Sequence, residues 1–229
     1  MPAVLTGRRQ TALKQVLDEL VDSYVRDFER SPERFFAKRR DPIQFPHRYR
    51  EFHDVEAAAF LAATFAYGNV TSLCAFIERL LARLGPSPAA FLRKGPAAVE
   101  SLVEHQPYYR LHKSDEILAV IRMLSRVYTR HDSLYQVFLA VYDEDSTMLV
   151  TETRFVERLR QIAETPLRFL VPSPEDGSTC KRLNLFFRWM IRREGIDFGL
   201  WRNVPPSILI MPVDTHIGRI AYRLGWVKT

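Results

Sequence analysis

Two residues in this chain are set up for chemistry. Lys181 lies in Ser178-Thr-Cys-Lys-Arg-Leu-Asn-Leu-Phe-Phe-Arg-Trp-Met-Ile-Arg-Arg193, and Asp214 lies in Met211-Pro-Val-Asp-Thr-His-Ile-Gly-Arg-Ile-Ala221. An amine in the opening turn of a helix can attack an electrophilic carbon and go on to a Schiff base. A carboxylate at a helix N-cap is rigid, ionised and aimed outward, which suits it to stabilise positive charge as it develops. A capping aspartate is equally well explained as a structural device. The expectation is that the two meet across a cleft and work on a nucleotide.

The elements that must position them can be read from periodicity. At about 100° per residue, Leu183, Phe186, Phe187, Met190 and Ile191 fall within an arc of about 140°, wide enough for a buried face. Lys181, Arg188 and Arg192 lie within roughly 40° of one another on the other side, flanked by Arg182, Trp189 and Arg193. Residues 181–193 hold five basic side chains and no acidic one. Charges so crowded need a partner or screening water. A solvated arginine face accounts for the stripe, and a phosphate-facing stripe is the sharper reading. In the second segment Pro212 keeps its predecessor extended, and Asp214 caps a helix carrying Ile217, Ile220, Ala221 and Leu224.

Pro-Val-Asp-Thr-His-Ile-x-Arg-Ile-Ala-x-Arg-Leu-Gly at 212–225 resembles the catalytic-aspartate segment of the helix-hairpin-helix DNA glycosylases, the endonuclease III superfamily. Ser178-Thr-Cys-Lys-Arg resembles the lysine-bearing helix start that follows their hairpin. The separation of 33 residues is similar to that of the archaeal oxidised-guanine glycosylases. The whole chain also resembles an uncharacterised bacterial family that shares Lys-Arg-Leu-Asn-Leu-Phe-x-Arg-Trp-Met-x-Arg and Pro-x-Asp-Thr-His. The resemblance implies an all-α, two-lobed bundle and base excision from DNA, with strand cleavage as an associated activity. It casts Lys181 as nucleophile and Asp214 as the stabilising carboxylate. Gly177, Ser178, Arg182, Arg188, Arg192, His216 and Asn69 would face DNA, and Tyr67, Trp189 and Trp201 would line the base pocket. The partner would be double-stranded DNA with a damaged base, and the protein a monomer without membrane, metal or small-molecule cofactor. The resembled families continue into further helices after this segment, so those helices are expected either from the N-terminal part or from chain beyond Thr229.

Composition bounds these readings. A chain of 229 residues that is 47% hydrophobic and 26% charged describes an ordinary globular protein, one domain or two lobes sharing a cleft. Of the net +6, residues 151–229 carry +5, from 13 basic and 8 acidic groups, which favours a polyanionic partner there. Cys74 and Cys180 alone give no disulfide framework and no ligand set for an iron–sulfur cluster, which fits a reducing cytoplasm. Cys180 reads as a packing residue. Six histidines (47, 53, 105, 112, 131 and 216) never fall into a metal-ligand spacing, and no phosphate-binding glycine loop occurs. Met1–Gln10 has no apolar core of a signal peptide. Ala57–Ile77 is an uncharged run of 21 residues, but the Gly68-Asn69 turn signal splits it into two buried helices.

Along the rest of the chain, the patterns predict an amphipathic helix over 8–29 (Leu13, Val16, Leu17, Leu20, Val21, Val25) and a short one at Pro32 with Phe35 and Phe36. A connector over Pro42–Arg50 follows, whose Phe45, His47, Arg48, Tyr49 and Arg50 would either grip nucleic acid or pack on the core. Asp54 is expected to cap a helix to Ala66, followed by Val70–Leu84, Pro88–Arg93 and Pro96–Val103. A loop over Gln106–His112 precedes a helix capped by Ser114, then helices over Leu134–Val141 and Phe155–Ile162 with Arg154, Arg158 and Arg160 exposed. Phe169–Gly177 is the hairpin candidate, with amides free to point at phosphate although only one glycine of the usual two is present. Asp197, Phe198 and Trp201, in the insertion after Arg193, would line the cleft or simply pack.

Two other classes remain open on the sequence: a catalytically inactive nucleic-acid-binding module, for which RNA is as open as DNA, and a structural helical protein in which Lys181 and Asp214 form an ion pair.

Overall fold

The computed structural model describes residues 7–105, 109, 112–165 and 167–227. Every regular element among them is helical, and the one β pairing is an isolated antiparallel bridge between Tyr109 and His112. The fold is all-α. Most of the loop expected at Gln106–His112 lies outside the described residues, as do Met1–Thr6 and the last two residues. No helix among the described residues is long and apolar enough to cross a membrane.

The first half of the chain forms α1 (Gly7–Arg30), α2 (Pro32–Lys38), α3 (Phe52–Thr64), α4 (Val70–Leu84), α5 (Pro88–Leu92) and α6 (Pro96–Val99). The second half forms α7 (Ser114–Arg130), α8 (Leu134–Leu139), α9 (Met148–Ala163), α10 (Lys181–Ile191) and α11 (Thr215–Arg223). The uncharged run is divided as expected, with Asn69 Oδ1 accepting the amides of Thr71 and Ser72 at 3.0 and 3.2 Å to start α4.

The core is built on α3, where every side chain from Asp54 to Phe65 is buried. Ala57, Ala58, Ala59, Ala62 and Ala63 keep the helix slim, so neighbours approach its backbone closely. Across it lies α10, whose predicted arc of Leu183, Phe186, Phe187, Met190 and Ile191 is buried as a set. Phe60 and Phe186 meet edge-on at 5.2 Å. Each such side chain contributes about 1.5–3 kcal/mol by leaving water, and together they fix the roll of α10. That roll turns Lys181 outward.

Some expectations are corrected. Asp54 does not cap its own helix: buried in the first turn of α3, it accepts bonds from Ser87 Oγ (2.8 Å) and the Ala89 amide (2.9 Å), and so starts α5. Lys113, not Ser114, is the N-cap of α7, its amide donating to Glu116. Arg160 is tied down, donating to the Val171 carbonyl at 3.0 Å and pairing with Asp176. Of the two readings of the connector, Phe45 takes the packed one, while Arg48, paired with both oxygens of Glu78 at 2.6 Å, and Arg50 stay exposed. The apolar stripe of α1 is covered only from Tyr24 onward, because the helix outruns the body it lies on, leaving Val16, Leu17, Leu20 and Val21 exposed.

α10 stops at Ile191, two residues short of expectation, because the chain turns back over its end. The amides of Phe198 and Gly199 donate to the Trp189 carbonyl, and that of Trp201 to Met190. Gly199 has φ +58, and a Cβ there would stand 2.7 Å from Arg193 Cγ and 2.9 Å from Arg193 Cα, so only glycine fits.

Candidate active site

Lys181 and Asp214 are brought together. Lys181 Nζ donates to Asp214 Oδ2 at 2.9 Å, and Asp214 Oδ1 accepts the Ile217 amide at 2.8 Å as the N-cap of α11. The side chains are 41% and 33% exposed, so water and a ligand can reach both. The Ile217 amide, and then the Lys181 ammonium, hold the Asp214 carboxyl down at about 2. A carboxylate of that acidity is a poor base and a persistent negative charge, suited to facing a developing cation.

Lys181 also lines a cleft of about 280 Å³ with Tyr24, Asp41, Arg182, Arg188 and Trp189. A second hollow, about 370 Å³, shares Tyr24 and Arg188 with it and continues past Leu20, Val21 and Arg192. Tyr24 and Asp41 were not singled out from sequence. Tyr24 continues the apolar phase of α1, and Asp41 caps a 3₁₀ turn through the Ile43 amide, so neither stands apart by pattern. A groove of about 820 Å³ beside Arg40 and Glu78 is lined by Phe45, His47 and Arg48 of the connector and contains neither Lys181 nor Asp214.

The basic stripe finds its partner in Asp197. Arg188 Nε donates to Asp197 Oδ2 at 3.1 Å, and Arg192 Nη1 lies 3.5 Å from the same oxygen. The Asp197 side chain is wholly buried, which pushes its carboxyl up, while both arginines stay about one-third exposed. Arg188 therefore forms cleft wall and keeps a solvent-facing edge.

Arg182 is corrected from a DNA contact to an internal clamp. It donates to the carbonyls of Thr64 (2.8 Å) and Phe169, and its guanidinium lies 5.0 Å from the rings of both Tyr67 and Phe169. Burial lowers its pKa without neutralising it. Tyr67 thus faces Arg182 and not the cleft, and its carbonyl accepts from the Tyr109 hydroxyl. Trp201 is corrected as well: fully buried, it donates from Nε1 to Glu56 at 3.0 Å, and no base can reach its face. Trp189 is 2% exposed and offers the cleft only an edge. Asn69 is exposed but serves as the cap of α4, and His216 is exposed in the first turn of α11.

The hairpin candidate does not present free amides as expected. The Gly177 amide donates to the Pro174 carbonyl, Ser173 and Asp176 cap each other, and Ser178 Oγ accepts the Cys180 amide at 3.1 Å. The Gly177 amide is thus satisfied inside the turn, which removes the expected phosphate grip from Gly177, while Ser178 is engaged through its Oγ as an acceptor. Cys180 is buried, donates its thiol proton to Pro172 and is pushed up to about 12, chiefly by burial, so it is no nucleophile. No group of three or more His, Cys, Asp or Glu side chains among the described residues is placed to hold a metal ion.

A family model described as "Protein of unknown function (DUF2400)" matches residues 41–229. No curated protein and no solved structure matches the chain.

Proposed function

The chain belongs to the DUF2400 family, and on the geometry of its site we propose that it is a DNA base-excision glycosylase with associated lyase chemistry. The observation that carries this reading is the solvent-accessible Lys181–Asp214 pair at 2.9 Å, beside a cleft walled by Arg188, Tyr24 and Asp41. The finer fold reading, a helix-hairpin-helix two-lobed bundle, belongs to the same proposal. It is supported by the order of α9, the turn at 169–177 and α10.

A base inside a duplex must leave the stack before any side chain reaches its glycosidic bond. The cleft is large enough for one flipped base, with Tyr24 and Asp41 at its wall. Loss of the base builds positive charge on the sugar, which the ionised Asp214 stabilises. Lys181, once its proton has passed to water or to the departing base, forms a bond from Nζ to C1′ as the bond from C1′ to the base breaks. Opening of the sugar ring, with O4′ taking a proton from Nζ as the C1′–O4′ bond breaks, then gives a protonated Schiff base, and loss of a C2′ proton to water expels the 3′ phosphate.

A panel of duplexes with defined lesions, scored for base release and for borohydride-trapped adduct, tests this reading. No release and no adduct with any lesion would leave an inactive nucleic-acid-binding module or a structural ion pair, and the 2.9 Å contact fits the latter as well. Asparagine caps a helix as well as aspartate does, so Asp214→Asn should keep α11 while removing the fixed charge. Single-turnover base release is expected to fall about 10²–10³-fold with DNA affinity retained. Arg188→Ala should weaken binding to all sequences alike and lower the slope of log affinity against log salt by about one. An unchanged slope would confine Arg188 to its pair with Asp197.

A further inference from the structure

Beneath Lys181 lies a buried polar cluster that the proposed chemistry does not use. Glu152 of α9, Asn184 of α10 and Cys180 are each 1% exposed. Asn184 Nδ2 lies 3.2 and 3.3 Å from the two Glu152 oxygens, and 3.3 and 3.4 Å from the carbonyls of Cys180 and Thr179. Those carbonyls belong to the two residues immediately before Lys181. Cys180 holds φ +47, the left-handed region that non-glycine residues avoid. It is also the N-cap of α10, and its side chain makes no capping bond. A strained conformation of this kind persists only where the surroundings over-determine it.

The cluster is an expensive way to fill space. Asn184 Oδ1 and the neighbouring Thr151 Oγ1 are buried without a hydrogen-bond partner among the described residues. Burial also pushes the Glu152 carboxyl up to about 7. Apolar side chains of the same volume would pack there at lower cost. What the polar groups supply is direction.

We propose that Glu152 and Asn184 are positioning residues for Lys181: Glu152 orients the Asn184 amide, which clamps the left-handed turn at Thr179–Cys180 and so sets the direction in which Lys181 leaves α10. The consequence for catalysis rests on the reading of Lys181 as the nucleophile. The placement of the amine does not.

The test replaces the whole cluster at once, because removing one partner strands the other. In Glu152→Met/Asn184→Leu, both polar groups give way to apolar ones of similar volume, and the variant is expected to unfold near the wild-type temperature. At saturating DNA, its rate of borohydride-trapped adduct formation should fall about 100-fold, with DNA affinity within about twofold, as expected for a misplaced reacting group. Glu152→Gln keeps an acceptor for Asn184 and should restore the wild-type rate.

A second readout needs no DNA. After reductive ¹³C-methylation, the Lys181 signal, assigned by its absence in Lys181→Arg, should lose its pairing-dependent shift in the double variant and keep it in Glu152→Gln. A folded double variant with both the adduct rate and the Lys181 signal of the wild type would overturn the proposal. If wild type forms no adduct, the reading of Lys181 as nucleophile fails and the methyl signal alone decides positioning. Should the double variant not fold, Glu152→Met, which leaves Asn184 its two carbonyls, is expected to shift the signal part-way, and an unmoved signal would overturn the proposal.

Discussion

Lys181→Gln is expected to abolish the borohydride-trapped adduct and to lower base release at least about 10³-fold, the scale on which losing an enzyme's nucleophile is felt. Stability should barely move. The pair with Asp214 is substantially exposed on both sides, and exposed ion pairs contribute at most about 1 kcal/mol. DNA affinity should also hold, because Arg188 and Arg192 keep their places. Lys181→Arg sharpens the test: a guanidinium retains the charge and the contact to Asp214 but stays protonated and cannot attack carbon. It should bind, keep α11 in place and form no adduct. An adduct surviving Lys181→Gln, located on another residue by peptide mapping, would remove Lys181 from the mechanism. A wild type that neither forms one nor releases a base would point to an inactive nucleic-acid-binding module or to the structural pair.

The largest stability effect is expected at a core group that takes no part in this pair. Glu56 lies fully buried in α3 and accepts hydrogen bonds from the Tyr128 hydroxyl (3.0 Å), the amides of Leu134 (2.8 Å) and Tyr135 (2.9 Å), and Trp201 Nε1 (3.0 Å). One carboxylate thus joins α3, α7, the start of α8 and the segment that turns back over α10. Glu56→Ala strands three buried donors, since the Tyr128 hydroxyl keeps the His53 carbonyl at 3.0 Å, and opens a cavity, and a loss of about 3–5 kcal/mol in chemical unfolding is expected. Glu56→Gln keeps the volume but turns an amide toward donors, for a loss of about 1–3 kcal/mol. A Glu56→Ala variant as stable as wild type would show that these four contacts are not made in solution.

Burial, the dominant influence, pushes Glu56 up to about 7 from an ordinary 4.5, although all four donors favour the ionised form. The native state therefore binds more protons than the unfolded chain between those values. The stability contributed by this group is greatest below about 4.5 and falls as pH climbs through about 7. Glu152 lies in the same window with the same sign. The midpoint in denaturant should decline from pH 5 to pH 8, and Glu152→Gln should flatten part of that decline.

Much of the framework was legible because it is periodic. The arc from Leu183 to Ile191 gave both the helix and its buried face, and Gly68-Asn69 marked the break in the uncharged run. The meeting of Lys181 and Asp214 was legible only through a resemblance, since nothing local places residues 33 apart within 2.9 Å. What escaped was how the other polar groups named here find their partners across the fold. Glu56 sits beside an alanine run with no local sign that its partners lie 72 to 145 residues away. Arg182 read as part of a surface stripe, because the Thr64 carbonyl it clamps is 118 residues earlier in the chain. Trp201 looked like a cleft aromatic, since its type suits stacking equally well in a core. Asp197 was seen as a loop acid, but that it would neutralise Arg188 and Arg192 depends on the turn at Gly199. Periodicity reports which face is apolar and is silent on where a buried charge finds its partner.

The attachment of α11 has a consequence of its own. The helix buries only Ala221, while Ile217, Ile220, Tyr222 and Trp226 stay in contact with water, so little cohesion holds it against the body. Its tie to Lys181 is one exposed ion pair, worth at most about 1 kcal/mol. The covalent step proposed for that amine would therefore take little from the hold on α11, and the Ile217 amide would keep Asp214 at the helix start throughout.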